Sequence, residues 1–558
     1  MDDRSGGLGA ALVPVSAPAR RRDDGPVRND GAARSARPAV RWAWRAAGLP
    51  AGALVALVFP ESGLWWLAWV GLVPTLLLVA AAPDRGDAAW RSWGAGAGFA
   101  LGLYHWILGV LGPLAPVVAA AMGATWIPVA LLWWSCAARR SASTPRPGGQ
   151  WMGGQALRST TVALVVVPSA WVVTEFARSW HVLGGSWGVL GLSQWQVAPI
   201  RQLATLGGVW ALSWLLVAAN VGVALALCRG TPPTARLTSV AAPVVLALVA
   251  LWWGAERELP EPAATLGVAG IQPGVVNGPE RRLRANEELT DALDPAAEGI
   301  DLIVWGQSSV GFDPDENESV RDRLEAVARR AGVPVLVNID ARRSGGSIAK
   351  SSLLIDPARG IVDTYDKQRL VPFGEYVPLR SVFGWVGGFT EAAEEDRRPG
   401  DELTVFDVAG ARVGPLISYE STFPDLRRSL ARLDPQVVIV QGASTTFQGS
   451  WAQPQQAATD AIRAIESGRP SMLVAVSGTS SAFDGSGRRL AWLPADRTGV
   501  IRAELPLGAV DTLYVRWGDW VPVLSLVAVV SWVTARLVTR PPRPRARSWG
   551  SDRVRTFR

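Results

Sequence analysis

Residues 413–424 read VGPLISYESTFP. An apolar run ends at Ser418, is followed by Tyr419 and Glu420, and breaks at Pro424. This is the pattern of a buried strand that delivers one side chain at its end. Ser418 is then a nucleophile, a stand-in for one, or a serine that satisfies backbone groups. Two further stretches have the same form. DLIVWGQSS (301–309) places Gln307 just beyond an apolar run, and VDTYDKQRLVPFGEYVP (362–378) places Lys367 and Glu375 in a turn-rich connection after another. In layered α/β folds, site residues gather at strand ends. Taken singly, each has a plain alternative: a helix-capping glutamine, a surface lysine beside Asp366, a strand-end serine.

Outward from these stretches, strand-like runs (TLGVAGIQP, VPVLVNID, SSLLID, QVVIVQGAS, SMLVAVSG, GVIRAELPL) alternate with helical ones (ERRLRANEELTDAL, VRDRLEAVARRAG, ATDAIRAIESG). That alternation predicts an α/β layered domain over residues 256–518. It holds no G-x-G-x-x-G or G-x-x-x-x-G-K-[ST] motif, so nucleotide binding has no support.

The flanking sequence differs. The 558-residue chain is 49% hydrophobic and 18% charged, and many of its 28 Trp lie near the ends of long apolar runs. Indole rings suit the headgroup zone of a bilayer. Eight membrane-span windows follow: 42–59, 64–82, 92–111, 113–136, 160–178, 204–228, 237–254 and 519–538. The first is short and contains Pro50. The expected organisation is a disordered tail (1–38), a transmembrane domain of seven spans (39–255), the α/β domain (256–518), a last span (519–538) and a basic tail (539–558). Arginines cluster in alternate loops: Arg85 and Arg91, then Arg139, Arg140, Arg146 and Arg158, then Arg229 and Arg236. The turns at 60–63 and near 112 carry none, and 179–203 carries only Arg201. The positive-inside rule then puts both termini in the cytoplasm and 256–518 on the outer face of the cytoplasmic membrane. After residue 535, eight arginines stand against Asp552, a lipid-facing end and not a nucleic-acid arm.

Cys136, Cys228, His105 and His181 are the chain's only cysteines and histidines, which makes a Ser-His-Asp triad or a His/Cys metal site improbable. No metal or organic cofactor is implied. Of 55 basic residues only Lys350 and Lys367 are lysine. Lys350 reads as chance retention.

Together, the YDKQRLVPFGEYVP run, the Ser-Tyr-Glu-x-x-x-Pro turn at 418–424, ATDAIRAIESGRP, and PSAWVVTEFARSW followed by GGSWGVLGLSQ form a specific set. On them the sequence resembles the apolipoprotein N-acyltransferases, membrane members of the nitrilase (carbon–nitrogen hydrolase) superfamily. The resemblance implies an α-helical membrane bundle of about eight spans and an extracytoplasmic nitrilase-like α-β-β-α sandwich domain. It implies a Glu–Lys–Cys triad in which the carboxylate takes the thiol proton and the lysine stabilises the oxyanion. The thiolate takes an acyl chain from phospholipid, and the S-diacylglyceryl cysteine of an apolipoprotein receives it.

Position by position, Lys367 matches the family lysine, Glu375 the supporting carboxylate, and Glu420 the glutamate after the nucleophile. Gln307 stands at the base position and Ser418 at the nucleophile position. An amide accepts no proton, and a positioned base contributes roughly 10²–10⁴ in rate. A serine hydroxyl needs such a base more than a thiol does. Glu375 or Glu420 taking over would require a role that its family position does not give it. The expectation is an impaired or inactive acyltransferase. The alternative is a pseudoenzyme scaffold assisting an active paralogue or a polyprenol-phosphate sugar synthase. Weaker candidates are Glu175 and Arg178 at a span end (site or structural pair), Phe383, Trp385 and Phe389 (lipid-dipping lid or simple anchor), and Arg463, Glu466 and Arg469 (bracing the fold).

Overall fold

The computed structural model describes residues 38–107, 112, 115–142, 152–342, 346, 348–378, 380–383 and 396–539. Trp385 and Phe389, the side chain of Phe383, and most of both predicted tails lie outside the described residues. The chain divides into a short unit, residues 1–43, and a second unit, residues 44–558, which holds a helical bundle and a sandwich domain.

Among the described residues, five helices are long and apolar enough to cross a membrane: Ala115–Ala137, Ala156–Arg178, Ala204–Leu227, Pro233–Ala255 and Trp520–Val538. They fall on the last five of the eight expected windows. The first three windows are helical but do not form such spans. The first contains the short helix Gly48–Ala56, and the second a 3₁₀ turn at Trp65–Trp69 and the helix Val73–Ala80. The third contains Arg85–Leu103, whose early turns carry Arg85, Asp87 and Arg91. Buried Asp87 pairs there with Arg91 at 2.6 Å and Arg45 at 2.8 Å. Proline and glycine break the first two windows, and charge makes the third less apolar than the others.

Twelve strands build the sandwich. One sheet has the order β12-β1-β2-β3-β4-β5 and the other β11-β10-β9-β8-β7-β6. The first contains β1 (Thr265–Gln272), β2 (Leu302–Trp305), β3 (Val335–Arg342), β4 (Ile348–Asp356), β5 (Gly360–Asp366) and β12 (Gly499–Pro506). The second contains β6 (Phe406–Val408), β7 (Ala411–Ile417), β8 (Val437–Gly442), β9 (Ser471–Ala475), β10 (Ser480–Phe483) and β11 (Arg489–Leu493). β1, β2 and β3 run parallel, as do β7, β8 and β9. Each parallel trio is joined by crossover helices, as parallel strands require. Leu266, Val304 and Leu336 of one sheet meet Val413, Ile439 and Val474 of the other in a shared core.

The two sheets are covered differently. On the first, helix Glu318–Ala331 buries Val320, Leu324 and Val327 and turns a charged face outward. On the second, helix Ala452–Ser467 is buried almost all round. Its Ala458, Ala461, Ile462 and Ile465 join the membrane-side core. Its polar groups dock onto the bundle. Glu466 Oε1 accepts from Val209 N at 2.7 Å, where Gly207 and Gly208 break the helix Ala204–Leu227. Arg463, ion-paired with Glu466, also donates to Ser186 Oγ at 3.0 Å.

Candidate functional site

Gln307, Lys367 and Ser418 follow β2, β5 and β7, three strand ends that the sandwich brings to one place. Gly306 makes the first approach feasible: a Cβ there would lie 2.4 Å from Val476 N and 2.9 Å from Gly442 O. With glycine present, Gln307 N donates to Gly442 O at 3.0 Å, joining the end of β2 to the end of β8 in the facing sheet. Gln441, one residue earlier on β8, donates from Nε2 to Trp305 O at 2.8 Å and Leu336 O at 3.2 Å, and accepts from Ser352 Oγ. This buried amide ties the sheets together. Its signal in the sequence is a lone polar residue inside the apolar QVVIVQGAS run.

Lys367 is 1% exposed. Its Nζ donates to both oxygens of Glu375, at 2.8 and 2.9 Å. Lys367 N also donates to Lys350 O at 2.9 Å, which sets the two lysines of the chain side by side on β4 and the end of β5. Like charges directly opposite on adjacent strands repel. Glu375 resolves this by accepting from both, with Lys350 Nζ at 3.2 Å. Lys350 also reaches Asp340 at 3.1 Å, and Asp340 pairs with Arg397 at 3.2 Å. Lys350 is therefore part of the site and not a chance retention. The signal was the rarity of lysine itself.

Glu420 is fully buried and joins the lysine segment to the Ser418 turn. Its Oε1 accepts from Tyr365 Oη at 2.9 Å, Gln368 N at 2.7 Å and Arg369 N at 3.1 Å, and its Oε2 from Ile417 N at 2.8 Å. All of its acceptor capacity is directed at framework donors. Burial pushes its carboxyl up, against Lys367 and these N–H donors. Burial also pushes the Glu375 carboxyl up, but Lys367 and Lys350 outweigh it and hold it at about 2. Burial takes the Lys367 ammonium below the ordinary lysine value, with Glu375 pulling it back in part.

Ser418 lies at a strained corner. Its φ is +50°, where a strand turns into the 3₁₀ segment Ser418–Thr422. Ser308 (φ +56°) and Phe373 (φ +60°) flank the other two approaches, so three of the five described non-glycine residues with positive φ stand at this site. Left-handed backbone at such residues costs about 1–3 kcal/mol and gathers at functional sites. The side chains of Gln307 (6% exposed) and Ser418 (9% exposed) hydrogen-bond to no described residue.

The weaker candidates fall outside this cluster. Arg178 donates to Trp187 O at 2.9 Å and Gly188 O at 2.6 Å, and Glu175 Oε1 accepts from Leu190 N at 2.8 Å. Together they pin the 185–190 loop, and their own ion pair is long, at 3.9 Å. Arg469 braces Pro435 O at 2.9 Å and Ser467 O at 2.7 Å. Among the described residues no group of His, Cys, Asp and Glu is arranged to hold a metal ion.

Two family models match this chain: the apolipoprotein N-acyltransferase N-terminal domain over residues 51–222, and carbon-nitrogen hydrolase over residues 225–514. Proteins named apolipoprotein N-acyltransferase are similar over most of their length. That of Geobacter metallireducens is 29% identical, covering 84% of this chain and 90% of its own. That of Azotobacter vinelandii is also 29% identical, covering 89% and 95%. That of Pseudomonas aeruginosa is 28% identical, covering 91% and 98%. Among solved structures, an amidase from Nesterenkonia sp. matches with 18% identity and a TM-score of 0.35, covering 46% of this chain and 95% of that one. A carbon-nitrogen hydrolase from Helicobacter pylori G27 matches with 14% identity and a TM-score of 0.36, covering 49% and 94%.

Proposed function

The chain belongs to the apolipoprotein N-acyltransferase family, and from that premise we propose that it retains the family's acyl-transfer scaffold while its own transfer is very slow or absent. The reaction for which the scaffold is built moves an acyl chain from phospholipid to the N-terminal S-diacylglyceryl cysteine of an apolipoprotein. One observation carries the reading: every carboxylate at the site is engaged elsewhere. Glu420 faces four framework donors, and Glu375 is held between two lysines at about 2. A carboxylate of that acidity is a poor acceptor for a serine proton near neutrality. Gln307 has no proton to take up, and Ser418 has no base beside it.

The same geometry bears on orientation. The loops that meet the domain are the arginine-poor ones: Tyr419 Oη donates to His181 O at 3.3 Å, and Gln455 Nε2 to Pro60 O at 3.2 Å. The far end of the helix Ala204–Leu227 leads to Arg229 and Arg236. With the positive-inside rule, this supports a multi-pass protein of the cytoplasmic membrane with its α/β domain on the outer face. The pseudoenzyme-scaffold reading shares this framework and is favoured by the lack of a base.

The test is intact-mass spectrometry of the purified chain incubated with phospholipid. No acyl adduct is expected on the unmodified protein, whereas the Gln307→Glu/Ser418→Cys chain acquires one acyl chain as a thioester. A rapidly formed acyl-Ser418 ester on the unmodified protein would overturn the reading.

A further inference from the structure

The buried cluster holds three cations, Lys367, Lys350 and Arg397, and three carboxylates, Glu375, Asp340 and Glu420. A glutamate at position 307 would add a fourth negative charge. Gln307 withholds it, so a bound anion returns the cluster to the charge that a glutamate would give it. The second observation is independent of charge. Gln307 and Ser418 are each more than nine-tenths buried, and their side chains have no hydrogen-bond partner among the described residues. Buried polar groups are costly to leave unpaired. An amide N–H and a hydroxyl are both donors, and a carboxylate has the acceptor sites for both.

The approach to these groups is aromatic and faces the bundle. Tyr419, next to Ser418, packs its ring against Phe423 at 4.8 Å. Phe447, in the loop after β8, meets Trp106 at 4.7 Å, and Trp106 meets Trp187 at 5.5 Å. A ligand reaching Ser418 along these rings presents a polar head at one end and an apolar tail toward the membrane-side loops.

We propose that this site binds a long-chain carboxylate, a fatty-acid anion, non-covalently, with its head on Gln307, Ser418 and Lys367. The proposal rests on the reading that Ser418 does not turn over acyl esters. A terminal carboxylate fits better than a phosphodiester, because its planar head offers two acceptors at the end of a single chain.

The test uses the full chain in nanodiscs of phosphatidylcholine, titrated with [1-¹³C]palmitate and, separately, with methyl palmitate. Palmitate should bind saturably and about tenfold or more tighter than its ester, with a shifted carboxyl resonance. Gln307→Glu should weaken palmitate about tenfold or more by like-charge repulsion and leave the ester unchanged. Ser418→Ala should weaken palmitate about three- to tenfold through the lost donor. Thermal melting checks that each variant folds. If Gln307→Glu does not fold, Gln307→Leu replaces it and should also weaken palmitate. Equal binding of acid and ester, or unchanged palmitate affinity in the folded position-307 variant, overturns the proposal. Acyl adduct formation by the unmodified chain would defeat the catalytic reading instead, and is read separately by mass.

Discussion

The site has two halves of opposite character. Around Lys367, Glu375, Lys350 and Glu420, charged atoms are paired and the partners come from four different segments. At Gln307 and Ser418 the backbone is held, by Gly442 O and by a strained φ, yet neither side chain is paired. The framework half is what a fold needs to keep three strand ends together. The other half is where chemistry would occur. A chain can therefore change one without disturbing the other, and here the change is confined to the reactive half.

The largest expected effect concerns the lysine. In a Gln307→Glu/Ser418→Cys background, Lys367→Met should lower acyl-thioester formation by roughly 10²–10³, as loss of an oxyanion stabiliser does. Single-turnover mass spectrometry reads this, and an unchanged rate would remove Lys367 from the reacting half.

Glu375→Gln should cost about 3–5 kcal/mol, because it leaves two buried ammonium groups facing each other. Glu420→Ala should cost about 3 kcal/mol by orphaning Tyr365 Oη and three backbone N–H groups. Both are measured by denaturant unfolding in detergent. A loss below about 1 kcal/mol for either would show that the framework is less coupled than its hydrogen bonds imply.

Stability should also fall in acid. Glu375 is held at about 2 against an ordinary 4.5, so its folded pKa is depressed. Its contribution is present above 4.5 and is lost as pH falls toward 2, up to about 3 kcal/mol from the shift alone. Burial of Lys367 opposes part of it. Glu375→Gln should flatten this acid limb, read as Tm against pH.

The smallest effect belongs to the unpaired half. Ser418→Ala should change stability by less than about 1 kcal/mol, because no protein partner is lost. A larger loss would mean that Ser418 is structural.

Much of this was legible in the sequence, for identifiable reasons. Strands buried on both faces, such as β1, β2, β8 and β9, read as apolar runs. The short or half-exposed β6, β10 and β11 carry no such run. Lys367, Glu375 and Glu420 were found through motif, Gln307 and Ser418 through departure from it. Lys350 was missed because its role arises only from strand pairing: Ser351 opposite Asp366 puts Lys350 beside Lys367. Helix Ala452–Ser467 shows the same limit. Its Gln455, Arg463 and Glu466 look like a solvated face, but the membrane bundle covers them with Trp187, Ser186 and Val209. Amphipathic pattern locates a helix, while the partner on its polar side comes from tertiary structure.

The central claim is that the framework is intact and only positions 307 and 418 silence it. The most direct test expresses the chain, and its Gln307→Glu/Ser418→Cys counterpart, in bacteria depleted of their own N-acyltransferase. Mass spectrometry of lipoprotein N-termini then counts acyl chains. The account predicts diacylated lipoproteins with the unmodified chain and a third acyl chain with the doubly substituted one. Triacylated lipoproteins from the unmodified chain would contradict it.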